Sequence, residues 1–327
     1  MEEHHVLAVG VDGSETSSAA LAWAARDADR RGDFLRVVHS YSLPTYSGEA
    51  FGAGIYPVVD FQALHDEHVA AVEQQLAPVR QTFPGMIIET TIEIGFAGTM
   101  LVENAKDADL LVTGSHGTGL ISALFLGSVA HQVAHTAPCA AVLVPHGALG
   151  DGIHHVVVGT DGSAAAQVAL EWAKHEAALW GARLTVVHAW DDPYVDIDTF
   201  SHMEAAAAEV LHKATAPFVD HGVPPMPIEA KLVRGSHGDV LLSESASADL
   251  LVVGARGRNA LSAALLSSTS GFAIHHARCP VVVIHATTPT AMGIALASGV
   301  TTTGKRLSAV ATQSVPSTSG ALHQGEP

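Results

Sequence analysis

Short unbroken runs of Val, Leu, Ile and Ala alternate along this chain with longer stretches whose apolar positions recur every three or four residues. The runs HVLAVG (5–10), FLRVVHS (34–40), DLLVTGS (109–115) and CAAVLVP (139–145) predict buried strands. MIIETTIEI (86–94) alternates in character and predicts another. Between them, SETSSAALAWAARDADRRG (14–32) predicts a helix opened by a Ser or Thr cap and closed by Gly. Residues 61–83, GTMLVENAKDA (98–108) and GSVAHQVAHTA (127–137) predict three more helices. Continuous apolar strands separated by helices imply an α/β fold: a parallel sheet covered on both faces, with right-handed crossovers.

The same pattern occurs twice. Residues 6–42 match 156–191, with Asp12 opposite Asp161, Trp23 opposite Trp172 and His39 opposite His188, all 149 positions apart. Further on, DADLLVTGSHG (107–117) matches SADLLVVGARG (247–257) at a spacing of 140, so the second copy is nine residues shorter in between. This predicts two domains, 1–148 and 149–286, joined through the Gly-rich HGALGDG (146–152). Residues 287–327 are rich in Thr, Ser, Ala and Gly without sustained periodicity, and read as a disordered tail; AMGIALASGV within them is an alternative docking helix.

Composition narrows the function classes. A chain of 327 residues, 48% hydrophobic, can bury two sizeable cores. A formal net charge of −17 argues against a nucleic-acid or anionic-membrane partner. Two cysteines do not suggest a disulfide framework. The acidic start MEEHHVLAVGVDGS runs straight into a strand pattern and does not read as a signal peptide, and no apolar run approaches the ~18–20 residues of a membrane span. The expected setting is the reducing cytoplasm.

The segment TGSHGTGLISALFLGSVAHQ (113–132) carries Gly114, Gly117, Gly127 and Ser128 but no Lys or Arg. In a doubly wound sheet, ligands bind at the carboxyl ends of strands where the strand order reverses. Glycines there let backbone approach a ligand, and Gly127-Ser128 at a helix start offers free N–H groups and the positive end of the helix dipole. Such a loop can cradle phosphate oxygens by backbone alone, with a divalent ion offsetting the remaining charge. The plainer alternative is that the glycines only make turns. No Walker A motif and no G-x-G-x-x-G fingerprint after the first strand is present.

GSHGTGLISALFLGS (114–128) reads as G-x2-G-x9-G-S and resembles the ATP-binding motif of the universal stress protein family; VGVDGS (9–14) and VVHS (37–40) resemble that family too. The resemblance covers about 6–145 and 155–285. It implies two tandem doubly wound, Rossmann-like parallel-sheet domains of strand order 3-2-1-4-5, their apolar last strands CAAVLVP and CPVVVIH pairing as a pseudo-dimer. It implies ATP, with Mg2+, as the bound cofactor. Asp12 and Asp161 would meet the nucleoside beside Gly10, Val11, Gly159 and Thr160, and Ser40 and Ala189 would offer backbone groups to adenine. Gly114, His116, Gly117, Gly127, Ser128 and Val129 would hold the phosphates in the first repeat. Their second-repeat counterparts are Gly254, Arg256, Gly257, Arg258, Ser267 and Ser268. Asp12 and Asp161 also suit a turn that caps the next helix, and His39 and His188 suit packing or hydrogen bonding within the fold.

The second loop departs from the motif: Ser267 stands where the third Gly belongs, so a Cβ either crowds the phosphates or is tolerated at negative φ. Arg256 and Arg258 bring charge that the first loop lacks, or are simply solvated. The resulting expectation is an ATP-binding stress-response regulator, with a slow ATP hydrolase and a non-nucleotide interaction module as rivals. No residue stands out as a general base. The expected partners are an adenine nucleotide and a regulatory protein, with pairing of two chains left open.

Weaker signals are HQVAH (131–135), whose two His at i and i+4 fit a metal but lack the Glu of HExxH, and the HH pairs at 4–5 and 154–155, expected at exposed strand ends. Cys139 and Cys279 read as small buried hydrophobes. The 21 His residues suggest either a pH response or scattered solvated side chains.

Overall fold

The computed structural model describes residues 5–43, 60–117, 126–148, 150–190, 205, 207–212, 227–255, 266–286 and 288. All lie within one folded unit, Met1–Gly293. The expectation for the tail, Thr288 apart, falls outside them.

The first repeat runs β1 (Val6–Gly10), α1 (Glu15–Arg31), β2 (Phe34–Tyr41), α2 (Phe61–Thr82), β3 (Ile88–Ile94), α3 (Ala97–Asn104), β4 (Leu110–Gly114), α4 (Ser128–Thr136) and β5 (Ala140–Val144). The second runs β6 (His155–Gly159), α5 (Ala164–Trp180), β7 (Arg183–Trp190), β8 (Ile228–Arg234), α6 (His237–Glu244), β9 (Leu250–Gly254), α7 (Ser268–His276) and β10 (Val281–Ile284). Residues 207–212 are helical.

The ten strands form one sheet, ordered β3-β2-β1-β4-β5-β10-β9-β6-β7-β8. Within each repeat the strands are parallel and follow the 3-2-1-4-5 order that the resemblance implies. The repeats join where β5 pairs antiparallel with β10, Val142 opposite Val282. These two valines occupy corresponding positions of the repeats, so a local pseudo-two-fold axis passes between them. An apolar edge strand that would otherwise invite pairing is thereby used up inside one chain.

The central strands are buried on both faces: Leu7, Val9, Leu111, Val142, Val252 and Val282 are inaccessible to solvent. Burial of each such side chain contributes about 1.5–3 kcal/mol. Helices α1 and α5 turn alanine-rich faces and one tryptophan each, Trp23 and Trp172, onto the sheet. Both start on a serine cap, Ser14 accepting from the Ser17 amide (3.1 Å) and Ser163 from the Ala166 amide (3.2 Å). Both stop on a glycine at positive φ, Gly32 (74°) and Gly181 (64°), the left-handed turn that ends a helix without steric cost.

Two expectations are corrected. Helix α3 stops at Asn104, not Ala108, because the Ala108 amide bonds the Ala105 carbonyl in a turn that feeds β4. His155 is not at an exposed strand end: it is buried, its Nε2 2.9 Å from Thr185 Oγ1 and its Nδ1 3.2 Å from the Ser247 carbonyl. Burial lowers its pKa. His5 is half-buried against Asp109 (3.1 Å), His154 is exposed, and His4 lies outside the described residues.

Candidate functional site

A cavity of about 460 Å3 opens at the carboxyl ends of β1, β2 and β4. That is where the strand order reverses on either side of β1, and the volume falls within the range of about 300–1,000 Å3 usual for ligand sites. The sequence-predicted first-repeat residues Gly10, Val11, Asp12 and Ser40 meet Gly114, His116, Gly117, Gly127, Ser128 and Val129 on its walls. The turn after β1, the end of β2, the turn after β4 and the start of α4 each supply part of the lining.

The cavity has two ends of different character. One is apolar, walled by Val38, Ala97 and Leu101 around Ser40, whose buried hydroxyl has no hydrogen-bond partner among the described residues. The other holds Asp12, the 114–117 turn and the N-terminus of α4. Sequence reasoning missed Ala97 and Leu101; their i, i+4 spacing on a helix after β3 was the available signal.

The glycines of the loop do different things. A Cβ on Gly114 would stand 2.8 Å from the Thr16 carbonyl carbon, so this glycine lets β4 end against the start of α1. A Cβ on Gly117 would stand 2.7 Å from Asp12 Oδ2, so this one lets the turn lie against the carboxylate. Gly127 has ordinary dihedrals (φ −62°, ψ 151°), and a Cβ there would meet nothing closer than 3.4 Å. What its lack of a side chain does is leave α4 without a side-chain cap, so the first-turn amides open toward the cavity. Residues 118–125 lie outside the described residues.

Asp12 also has the turn role that its DGS setting suggests. Its Oδ1 accepts from the Ser14 amide (2.9 Å), and Asp161 accepts from the Ser163 amide (2.9 Å). His39 Nδ1 lies 2.8 Å from the Val11 carbonyl and His188 Nδ1 2.6 Å from the Thr160 carbonyl, so both histidines do hydrogen-bond within the fold. A carbonyl can only accept, so Nδ1 carries the proton in each. His39 continues outward through Nε2 to His68 Nδ1 of α2 (2.9 Å). Burial, then the neighbouring His39, lowers the His68 pKa. On the loop, His116 Nδ1 meets the Ser115 hydroxyl (2.7 Å), and Thr16 Oγ1 donates to the His116 carbonyl.

The sequence profile of the universal stress protein family matches residues 4–145 and 152–285. This chain belongs to that family. Universal stress protein Rv2005c of Mycobacterium tuberculosis is 30% identical over 292 residues, covering 86% of this chain and 97% of its own. Universal stress protein Rv2623 of the same organism is 31% identical over 293 residues, covering 85% and 95%. Among solved structures, a universal stress protein from Archaeoglobus fulgidus DSM 4304 overlays with a TM-score of 0.61 at 21% identity, covering 87% of this chain and 99% of its own, a likeness of fold.

The second universal stress protein repeat keeps the frame and changes its fittings. Gly159 ends β6, Thr160 and Asp161 follow it, and Ala189 on β7 is buried where Ser40 stands in the first repeat. A Cβ on Gly254 would lie 2.9 Å from the Ala165 carbonyl carbon, matching the close approach at Gly114. Ser267 has negative φ (−64°, ψ 155°), the same backbone as Gly127, so the serine is accommodated without backbone strain. Ser268 opens α7. Arg256, Gly257 and Arg258 lie outside the described residues.

The weaker signals resolve locally. His131 and His135 stack at 4.2 Å, with His135 Nδ1 2.7 Å from the His131 carbonyl. Among the described residues, no three His, Cys, Asp or Glu side chains converge to hold a metal. Cys139 and Cys279 are buried as expected, and burial pushes each thiol up to about 12, well away from a reactive thiolate. No described helix is long and apolar enough to cross a membrane.

Proposed function

We propose that this universal stress protein binds ATP, with Mg2+, in the first-repeat cavity and acts as a nucleotide-dependent regulator of a stress response. The observation that carries the reading is the uncapped N-terminus of α4, opening beside Gly117 and Asp12 at the polar end of a cavity whose other end is apolar. The apolar end around Val38, Ala97 and Leu101 suits a purine, with Ser40 Oγ available to one of its polar edges. Asp12 suits the ribose hydroxyls, and the α4 amides with Ser128 suit phosphate oxygens. Among the described residues no Lys or Arg lines the cavity, so a divalent ion is the natural counter-charge for a triphosphate.

Retention fits better than turnover. Among the described residues the lining holds one carboxylate, Asp12, and one imidazole, His116; Asp12 Oδ1 takes the Ser14 amide and His116 Nδ1 meets the Ser115 hydroxyl. The test is to denature the purified protein and identify released nucleotide by chromatography and mass. ATP at a defined molar ratio, reduced in Gly117→Ala, is the expected result. ADP in its place favours the hydrolase. No nucleotide, even after incubation with Mg-ATP, overturns the reading and leaves the interaction module.

A further inference from the structure

The described ends of the two loops share one backbone frame. The Gly127 amide bonds the Ser115 carbonyl and the Ser267 amide bonds the Ala255 carbonyl, both at 2.8 Å. The Ser115 amide reaches Val144, and the Ala255 amide reaches Ile284. The helices that follow start with the same cap dihedrals. At these described ends, residues 126–130 and 266–270, the side chains can be compared position by position.

In the second repeat two serines meet at the start of α7. Ser267 Oγ caps α7 by accepting from the Ser270 amide (3.0 Å) and lies 2.6 Å from Ser270 Oγ. Ser270 Oγ in turn donates to the Gly254 carbonyl (2.6 Å). The first repeat has Gly127 and Ala130 at these positions, and neither carries a polar side chain. An amide that an incoming phosphate would need is already paired with Ser267, and the hydroxyls are paired with each other and with the loop. Displacing them means breaking a part-buried network anchored on the buried Ser270. The other end has changed as well: Ala189 replaces Ser40, removing the hydroxyl from the apolar end.

Resting on the reading that the first cavity takes ATP, we infer that the second repeat satisfies the N-terminus of its own α7 and that the chain is a single-site nucleotide binder. The second repeat is kept as the permanent β10 partner of β5. A symmetric dimer of single-domain chains presents two equivalent sites; this pseudo-dimer presents one, so its response to nucleotide is hyperbolic and non-cooperative.

Titration calorimetry with Mg-ATP on the full chain, stripped of nucleotide, tests this. One nucleotide per chain is expected, with a hyperbolic isotherm, and Gly117→Ala should weaken it about tenfold or more. The double substitution Ser267→Gly with Ser270→Ala should create a second site. Two nucleotides per wild-type chain would overturn the inference while leaving the nucleotide reading intact. A single site untouched by Gly117→Ala would place the ligand in the second repeat and overturn it too. A double variant that still binds only one would remove the serines as the cause. Absence of binding in every form would end both readings.

Discussion

Asp27 and Glu176 occupy corresponding positions of the two repeats and share a single guanidinium, that of Arg31. Arg31 Nε lies 2.7 Å from Asp27 Oδ2, and its NH2 reaches Glu176 Oε2. At the position corresponding to Arg31, the second repeat has Trp180, whose Nε1 donates to Glu176 (2.9 Å) and Asp27 (3.2 Å). The seam between α1 and α5 thus buries two carboxyl groups around one fixed positive charge. Burial raises the Glu176 pKa to about 8, with the nearby Asp27 adding to the rise against the pull of Arg31. Burial opposes the charge on Arg31, but Glu176 and Asp27 outweigh it and hold the guanidinium firmly protonated.

Stability should therefore fall with rising pH through this group. Glu176 has a folded pKa above its ordinary 4.5, so between about 4.5 and 8 the folded chain holds a proton that the unfolded chain has released. Glu176→Gln mimics the protonated form. Denaturant midpoints measured from pH 5 to pH 9 should show the variant gaining on the wild type by roughly 1–3 kcal/mol as pH rises. Parallel curves for the two proteins would contradict the assignment.

Removing the shared cation is a harsher test. Arg31→Met leaves two buried acids without their partner and should cost about 3–5 kcal/mol, visible as a large drop in thermal midpoint. Adding Glu176→Gln to Arg31→Met should recover little of that loss at neutral pH, because Glu176 already holds its proton there.

His68 should act in the opposite direction. Its pKa lies below the ordinary 6.5, so the folded chain favours the neutral ring and its contribution, present above that pH, is lost as pH falls through the lowered value. A neutral His68 donates Nδ1–H to His39 Nε2, which requires His39 to hold its proton on Nδ1 toward Val11. In His68→Phe the acid-side loss of stability should be smaller. The His68 Cε1 proton in an NMR titration should move with a midpoint below 6.5; a midpoint at or above 6.5 would contradict the buried pair.

Gly127→Ser separates stability from binding. The Gly127 backbone already has cap geometry, and the new hydroxyl can accept from the α4 first turn as Ser267 does in α7. The thermal midpoint should hold or rise, by a few tenths of a kcal/mol in stability, while bound nucleotide falls. A variant that keeps full nucleotide would show that the uncapped helix end is not what the ligand uses.

The duplication, the order of strands and helices, the caps at Ser14 and Gly32 and the clustering of the glycine motif after β4 could all be read along the chain. Each depends on local periodicity, on a turn residue or on comparison of one stretch with another, and such signals survive without knowledge of what lies across the core. The apolarity of CAAVLVP and CPVVVIH likewise announced an edge that needs a partner. Other features had no linear signal. The register of Val142 on Val282 follows from how two repeats meet about an axis. The burial of His155 depends on Thr185 and Ser247, distant in sequence. The sharing of Arg31 by Asp27 and Glu176 requires two helices, each an ordinary amphipathic segment by itself, to be pressed together at the seam. That Ser267 closes its own helix end depends on the Ser270 rotamer and the Gly254 carbonyl. Periodicity records which face of an element seeks the core, because that preference belongs to the element alone. Which charges are left facing one another there, and which polar groups satisfy each other, is decided only when separate elements compete for the same space.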